Sequence, residues 1–313
     1  MNPHEGCGPF LETPDPLLVP AAFQVDEGEG IIRCDLCPHH CRIKQGRSGY
    51  CGTRYHDGSR LVAINYGQVV ACHLDPIEKK PLRNFYPGSW ILSVGSFGCN
   101  FGCPFCQNHE LSMWRPDKHR LVPEGSAFLS PEMLVNSAKR LKDNIGLAFT
   151  YNEPTTWFEY IRDCAPLLKA EGLKLVLVTN GYIEAEPLQM LLPYVDAMNI
   201  DLKTIRPEQA RIMNSGDPEA ILRTIQSASA RCTVEVTTLL VTGLSDDPAM
   251  VEELAVRLAA IDPDMVLHLS RYFPAWRYDA PPTPIARIRE AAANARKHLR
   301  NVYIGNCPPG LAD

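Results

Sequence analysis

Along the last two thirds of the chain, short runs of apolar and β-branched residues alternate with longer stretches of helical spacing. The runs 91–97, 146–151, 173–179, 197–202, 233–241, 265–269 and 301–304 have the length and composition of strands. Leu173-Lys-Leu-Val-Leu-Val178 and Val236-Thr-Thr-Leu-Leu-Val241 lack the strict alternation of a half-exposed strand, which predicts burial on both faces. Between the runs, Ser130-Pro131, Asp217-Pro218, Asp247-Pro248 and Thr283-Pro284 each place a capping side chain before a proline, a helix-start signal. After Asp247, the residues Val251, Leu254, Leu258 and Ile261 form one apolar stripe. Alternating β and α units predict an α/β fold on a parallel sheet, open or curved into a barrel. In such folds chemistry gathers at the C-terminal ends of the strands.

Residues 1–88 read differently: they are rich in Gly, Pro and Cys, with only short alternating stretches such as Arg60–Tyr66 and Gln68–His73. They predict a small Cys-rich, metal-binding module beside an α/β domain over 89–313. A chain of 313 residues with 45% hydrophobic content can bury one large core or two unequal ones. Its net charge of −5 and the lack of a basic run argue against a nucleic-acid partner. No apolar run approaches membrane-spanning length, so no membrane partner is expected. The first residues, Met-Asn-Pro-His-Glu-Gly-Cys, lack a positive stretch followed by an apolar one. A cytoplasmic setting follows as the expectation, and with it metal binding rather than disulfides for most of the 12 cysteines.

The strongest chemical signal follows the first strand, in Gly98-Cys-Asn-Phe-Gly-Cys-Pro-Phe-Cys-Gln-Asn108. Cys99, Cys103 and Cys106 bring three thiolates into one short loop. Three thiolates can hold three corners of a [4Fe–4S] cluster and leave the fourth iron open. Part of a zinc site, half of a closed cluster and plain buried thiols are the alternatives. Phe105 suits either a ring beside a nucleobase or a core plug. At the end of the second strand, Glu153 can accept hydrogen bonds from an ammonium group or simply favour a helix start. Asn180 stands in an Asn-Gly turn signal, with structural and binding roles both open. Asp201 and Lys203 share one strand face and can pair with each other or meet a ligand. His268, in an otherwise apolar run, is either a satisfied core residue or a ligand contact at a strand end.

Nearer the N-terminus, Cys34-x2-Cys37-x3-Cys41-x9-Cys51 supplies four thiolates for a structural zinc or a second Fe–S cluster. Zinc is favoured, because the set is compact and lies apart from the other motifs. His39, His40 and Cys7 are possible substitutes. Cys72, Cys164, Cys232 and Cys307 have no metal spacing and are expected as buried thiols.

Asp75-Pro-Ile-Glu-Lys-Lys-Pro81, Phe85-Tyr-Pro-Gly88 and the Cys99 loop together resemble the pyruvate formate-lyase activating enzyme-like branch of radical S-adenosylmethionine (SAM) proteins. Within that branch the chain resembles the radical SAM component of the AmmeMemoRadiSam gene set. Tyr151-Asn-Glu-Pro154, Asp201-Leu-Lys203, Val234–Leu239 and Val302-Tyr-Ile-Gly-Asn306 extend the resemblance across residues 34–306. It implies a partial (β/α)6 TIM-like barrel, and an oxidoreductase that cleaves SAM at a [4Fe–4S] cluster to a 5′-deoxyadenosyl radical. It assigns the cluster to Cys99, Cys103 and Cys106, and cofactor contacts to Phe105, Asn152, Glu153, Asn180, Asp201, Lys203 and His268. Phe105 would lie against adenine and Glu153 would meet the methionine amine. Tyr151-Asn152 stand where activating enzymes usually carry two glycines. The implied partners are a one-electron donor such as flavodoxin or ferredoxin and a protein substrate, as for a glycyl-radical activating enzyme. A small molecule or peptide side chain is the alternative substrate, and an Fe–S electron carrier or zinc scaffold without SAM chemistry is a more distant one.

Overall fold

In the computed structural model, which describes residues 17–117 and 119–308, the chain divides into two compact units. One runs up to Asn100 and resumes over Asn108–Met198; the other comprises Phe101–Gln107 and the chain from Asn199 on.

The first unit is built on strands β1 (Ala71–Pro76), β2 (Trp90–Gly95), β3 (Asn144–Phe149) and β4 (Lys174–Thr179), in that order across its sheet. β2, β3 and β4 are parallel, with Val94 opposite Phe149 and Phe149 opposite Leu177. β1 is antiparallel to β2, with Ala71 opposite Gly95 and Pro76 opposite Trp90. β1 thus lies inside the stretch whose composition predicted a separate N-terminal module. Helices α1 (Pro131–Arg140), α2 (Phe158–Ala170) and α3 (Ala185–Leu191) complete the repeat. Both sheet faces are apolar, as the strand composition predicts. On one, Phe149 meets the rings of Trp157 and Tyr160 at the start of α2, at 5.6 and 6.5 Å. On the other, Ile91, Ala148 and Val176 pack with Ile77, Leu82 and Phe85. Burying each large side chain contributes about 1.5–3 kcal/mol. The Ser130 hydroxyl accepts the Met133 N–H at 3.2 Å and caps α1 as its sequence predicts. Short antiparallel strands, Gln24–Gly28, Ile31–Cys34 and Arg42–Lys44 among them, hold the cysteine-rich segment in the same unit.

β5 (Ala197–Asp201) leads into the second unit, where β6 (Thr233–Leu240), β7 (Val266–Arg271) and β8 (Asn301–Gly305) run parallel. Helices α4 (Pro207–Met213), α5 (Pro218–Ser229), α6 (Pro248–Ile261) and α7 (Ile285–Ala295) alternate with them. Asp217 and Asp247 cap α5 and α6 through Glu219 N and Ala249 N, both at 3.1 Å. Val251, Leu254 and Leu258 are fully buried, while Ile261 at the end of the stripe is half-buried.

Three expectations are corrected. Thr283 does not cap α7: its hydroxyl donates to Leu240 O and accepts Tyr272 N–H, and Pro284 occupies the cap position. Cys72 is buried but disulfide-bonded, and Cys232 and Cys307 are half-buried; of these four, Cys164 alone is a buried free thiol. Cys7 lies outside the described residues. The architecture is mixed α/β with parallel strands, as expected. Among the described residues, no helix is long and apolar enough to cross a membrane.

Candidate active site

In the first unit, the chain leaves β2 through Ser96 and Phe97 into Gly98 and Cys99. Gly98 adopts φ +83°, and a Cβ there would lie 2.6 Å from Cys51 O and 2.5 Å from Thr53 Cγ2. Only glycine suits that backbone and that space. Asn152 fastens the same turn: its Oδ1 accepts Ser96 N–H at 3.0 Å, and its Nδ2 donates to Gly98 O at 3.0 Å and Phe97 O at 3.2 Å. Asn180 lies beyond the end of β4. Its Nδ2 donates to Asn100 Oδ1 at 2.7 Å and lies 3.9 Å from Cys99 Sγ, while its Oδ1 accepts Tyr182 N–H. Glu153 ties these pieces together. Oε1 accepts Thr179 Oγ1–H at 2.6 Å and Thr155 N–H at 2.9 Å, and Oε2 accepts Asn180 N–H at 2.8 Å. Burial raises its carboxyl above the usual range, although these donors favour the charge. Cys99, Asn152, Glu153 and Asn180 are thus brought together, with the asparagines acting on the loop rather than pointing away from it. Asn100, which no local motif singled out, is buried and donates to Tyr182 O at 2.7 Å.

A second polar group lies on the sheet face shared with Ile91. Tyr151 takes a left-handed conformation, φ +72°, and folds its ring over Gly95, where a Cβ would come within 2.9 Å of the ring. Its hydroxyl donates to Asp75 Oδ2 at 2.8 Å and lies 3.3 Å from His73 Nδ1. The buried Lys80 ammonium donates to Asp75 at 2.8 Å and stands 5.0 Å from the Tyr151 ring centre. Burial works against the Asp75 charge, but Lys80, Lys79 and Tyr151 outweigh it and hold the carboxyl below its usual range. Sequence reasoning used Asp75-Pro-Ile-Glu-Lys-Lys-Pro81 only for resemblance and missed this cluster. A run carrying acid, lysines and two prolines was the available signal.

In the second unit, Gly102 N donates to Asn214 O at 3.0 Å and Arg277 N to Pro104 O at 2.9 Å, which anchors the segment bearing Cys103 and Cys106. Phe105 is buried, edge-on to Tyr272 and Tyr278 at 6.4 Å each. Asp201 ends β5 and pairs with Lys203 at 3.1 Å. Burial opposes the Lys203 charge, but the Asp201 carboxylate outweighs it and holds the ammonium above the usual range. Burial pushes the Cys103 thiol up to about 12, against the pull of Lys203. His268 is not at a strand end: β7 continues to Arg271, and His268 stands between Thr237 and Tyr303 in the ladder. Its Nε2 meets Glu235 Oε2 at 2.6 Å, with the carboxylate wholly buried, and its ring stacks on Tyr303. Glu235 is a polar residue in an apolar strand, a signal passed over.

Cys34, Cys37, Cys41 and Cys51 line one cavity together with His39, Arg54 and Asn100. Burial pushes the Cys34 thiol up to about 11 and Cys37 higher. His40 instead faces Asp35 at 2.9 Å and Glu184 at 3.2 Å. Among the described residues, no three His, Cys, Asp or Glu side chains converge as a single metal ion requires.

In each unit the donor chemistry suits an iron–sulfur ligand: in the first the Asn180 amide lies beside the Cys99 sulfur, and in the second the Lys203 ammonium acts on the Cys103 thiol. Hydrogen bonds and positive charge near the sulfurs stabilise such an anionic group. Fold and loop together define a class: α/β proteins with a three-cysteine loop after the first parallel strand. Comparison with known proteins identifies the family: the Radical SAM superfamily model matches residues 93–258, and this chain belongs to that superfamily. An uncharacterized protein of Methanocaldococcus jannaschii is 37% identical over 295 residues, 92% of this chain and 85% of that protein. A radical SAM methyltransferase from Sphaerobacter thermophilus shares the fold with TM-score 0.55 and 15% identity, over 95% of this chain and 79% of that one. Streptococcus suis SuiB, solved with S-adenosylmethionine bound, gives TM-score 0.54 and 14% identity over 71% of this chain and 52% of its own.

Proposed function

We propose that Cys99, Cys103 and Cys106 hold a [4Fe–4S] cluster, and that the chain acts on a protein substrate in the manner of a pyruvate formate-lyase activating enzyme. When bound, the cluster and SAM supply reductive cleavage of the sulfur–C5′ bond and a 5′-deoxyadenosyl radical that removes a hydrogen atom. The observation that carries this reading is the clasp on the Cys99 turn, where Asn152 holds three backbone groups and Asn180 lies beside the sulfur. A loop that must keep three thiolates in register needs such bracing. Asp201 and Lys203 offer one charge of each sign to the ribose or methionine part of SAM, and His268 joins them through its pair with Glu235. Phe105 offers its edge and backbone to adenine. Glu153 positions Asn180, and a methionine ammonium would be a fourth donor to a carboxylate that can accept about four. A one-electron donor of the flavodoxin or ferredoxin kind supplies the reductant.

A second reading, a small molecule or peptide side chain as substrate, is favoured by the His73–Asp75–Lys80–Tyr151 group. Polar groups of both signs on an otherwise apolar sheet face suit recognition of a small polar substrate.

The test is anaerobic reconstitution, reduction with dithionite and addition of SAM, with 5′-deoxyadenosine as the readout. Product is expected from the wild type and none from Cys99→Ala. An intact cluster that yields no product overturns the reading. Deuterium carried from a labelled protein or small molecule into deoxyadenosine separates the two substrates.

A further inference from the structure

We infer that Glu235 is a positioning residue: it claims the Nε2–H of His268 and leaves Nδ1 of that ring as a fixed acceptor for a ribose hydroxyl of SAM. The choice of ligand rests on the proposed function; the placing of the ring does not. Three observations lead there, all within the second unit.

The first is the bond itself. His268 Nε2 lies 2.6 Å from Glu235 Oε2, and the glutamate side chain is wholly buried. A carboxylate has no hydrogen to give, so Nε2 is the donor. In a neutral imidazole the other nitrogen then carries the lone pair, and the bond at one nitrogen decides the role of the other. The ladder makes this contact a property of the backbone. Glu235 stands opposite Val266 and Thr237 opposite His268, and residues two apart on a strand share a face.

The second is the setting of the ring. It stacks on Tyr303, its ladder partner in β8, with centroids 5.7 Å apart and planes at 28°. Stacking fixes the plane and Glu235 fixes the rotation. The His268 side chain is 8% exposed. Nδ1 makes no hydrogen bond among the described residues, yet it is not one of the buried polar atoms left without a partner. That nitrogen is open to a ligand.

The third is what lies beside it. Leu202 N donates to Thr237 O at 3.0 Å, and Thr238 Oγ1 donates to Leu202 O at 2.8 Å. The Asp201–Lys203 pair therefore flanks the strand position next to His268. The Thr237 hydroxyl is itself spent on Asn199 Oδ1 at 2.9 Å. Lys203 only donates, so Asp201 and Nδ1 are the acceptors this corner offers. A ribose diol brings the hydroxyls to meet them. A methionine carboxylate has nothing to give Nδ1.

The test reads the ring directly. In the oxidised, reconstituted full chain labelled with 15N histidine, the His268 signals are assigned by their absence from His268→Gln. They should show one bare nitrogen and one protonated, with the proton on Nε2. Glu235→Gln keeps the side chain's size but can accept from Nε2 or donate to it, so both tautomers should appear. A proton on Nδ1 in the wild type, or an unchanged tautomer in Glu235→Gln, overturns the proposal. Equilibrium binding tests the ligand. The wild type should bind SAM roughly tenfold more tightly than its 2′-deoxy or 3′-deoxy analogue, and Glu235→Gln should lose most of that preference. An equal drop for SAM and both analogues would make Glu235 a support of the fold alone and overturn the proposal. Should Glu235→Gln not fold, the wild-type ring signals and analogue preference decide. A wild type that does not bind SAM refutes the proposed function, while the ring signals still decide whether Glu235 sets the tautomer.

Discussion

The two units hold the acids of the candidate site in different ways, although Asp75 and Glu159 of the first unit also pair with basic side chains. In the first, Glu153 is held by two backbone N–H groups and a hydroxyl, all neutral donors fixed by the fold. In the second, the part-exposed Asp201 and the buried Glu235 face basic side chains, Lys203 at 3.1 Å and His268 at 2.6 Å. A carboxylate clasped by backbone cannot let go without moving two strand ends. A carboxylate paired with one side chain can change partner when a ligand arrives. The difference teaches a division of labour: one region keeps a loop in shape, and the other offers charge.

The largest expected effect tests the clasp. Glu153→Ala leaves three donors without an acceptor, and each buried orphan costs roughly 1–3 kcal/mol. We expect a loss of about 4 kcal/mol, read as a lower urea midpoint. A loss below about 1 kcal/mol would mean that Glu153 does not hold the strand ends.

Next comes Asp75→Asn, which strands the buried Lys80 ammonium. Removing one partner of a buried pair costs about 3 kcal/mol or more. The pH dependence has a definite sign. The folded Asp75 carboxyl lies below its usual value of about 3.9, so its contribution is present above that pH and fades as acid protonates the folded group. The variant should lose stability at neutral pH and show a shallower acid limb in thermal melts. An acid limb as steep as the wild type's would rule out Asp75 as its source.

How far the sequence reaches follows the same line. The parallel strands were legible because burial on both faces leaves an apolar run, and three helix starts because Ser130, Asp217 and Asp247 act within a few residues of themselves. Thr283 carried the same signal, yet tertiary contacts with Leu240 and Tyr272 claimed its hydroxyl. β1 was hidden because a glycine- and cysteine-rich setting masked six residues that pair antiparallel at a sheet edge. The cysteine spacings stood out at once. Arg54 with Glu159, and His268 with Glu235, are 105 and 33 residues apart. No local pattern connects such partners, so these pairs had to be seen in three dimensions.

A third expectation probes the first unit without touching a charge. Gly98→Ala forces an alanine to φ +83° and drives its methyl into Cys51 O. The left-handed backbone costs about 1–2 kcal/mol and the overlap adds to it, for about 2 kcal/mol in all. The loop should shift rather than unfold, so the iron held by the Cys99 loop should fall more than the melting temperature does. Iron content equal to the wild type's would show that Gly98 is not needed to set the turn.

The smallest stability change is expected in the second unit, from Asp201→Asn. The Asp201 side chain is 34% exposed and that of Lys203 14%. A pair so placed is worth below about 1 kcal/mol to the fold. Asparagine keeps one oxygen acceptor for Lys203, which reduces the loss further. A charged hydrogen bond to a ligand is worth more, about 1.5 kcal/mol, so SAM affinity should drop roughly tenfold in equilibrium binding to the reconstituted protein. Urea and binding measurements on one variant therefore move apart, whereas for Glu153→Ala they fall together. Should Asp201→Asn unfold as readily as Glu153→Ala while binding SAM normally, the second unit's acid would be another clasp, and the contrast between the two regions would vanish.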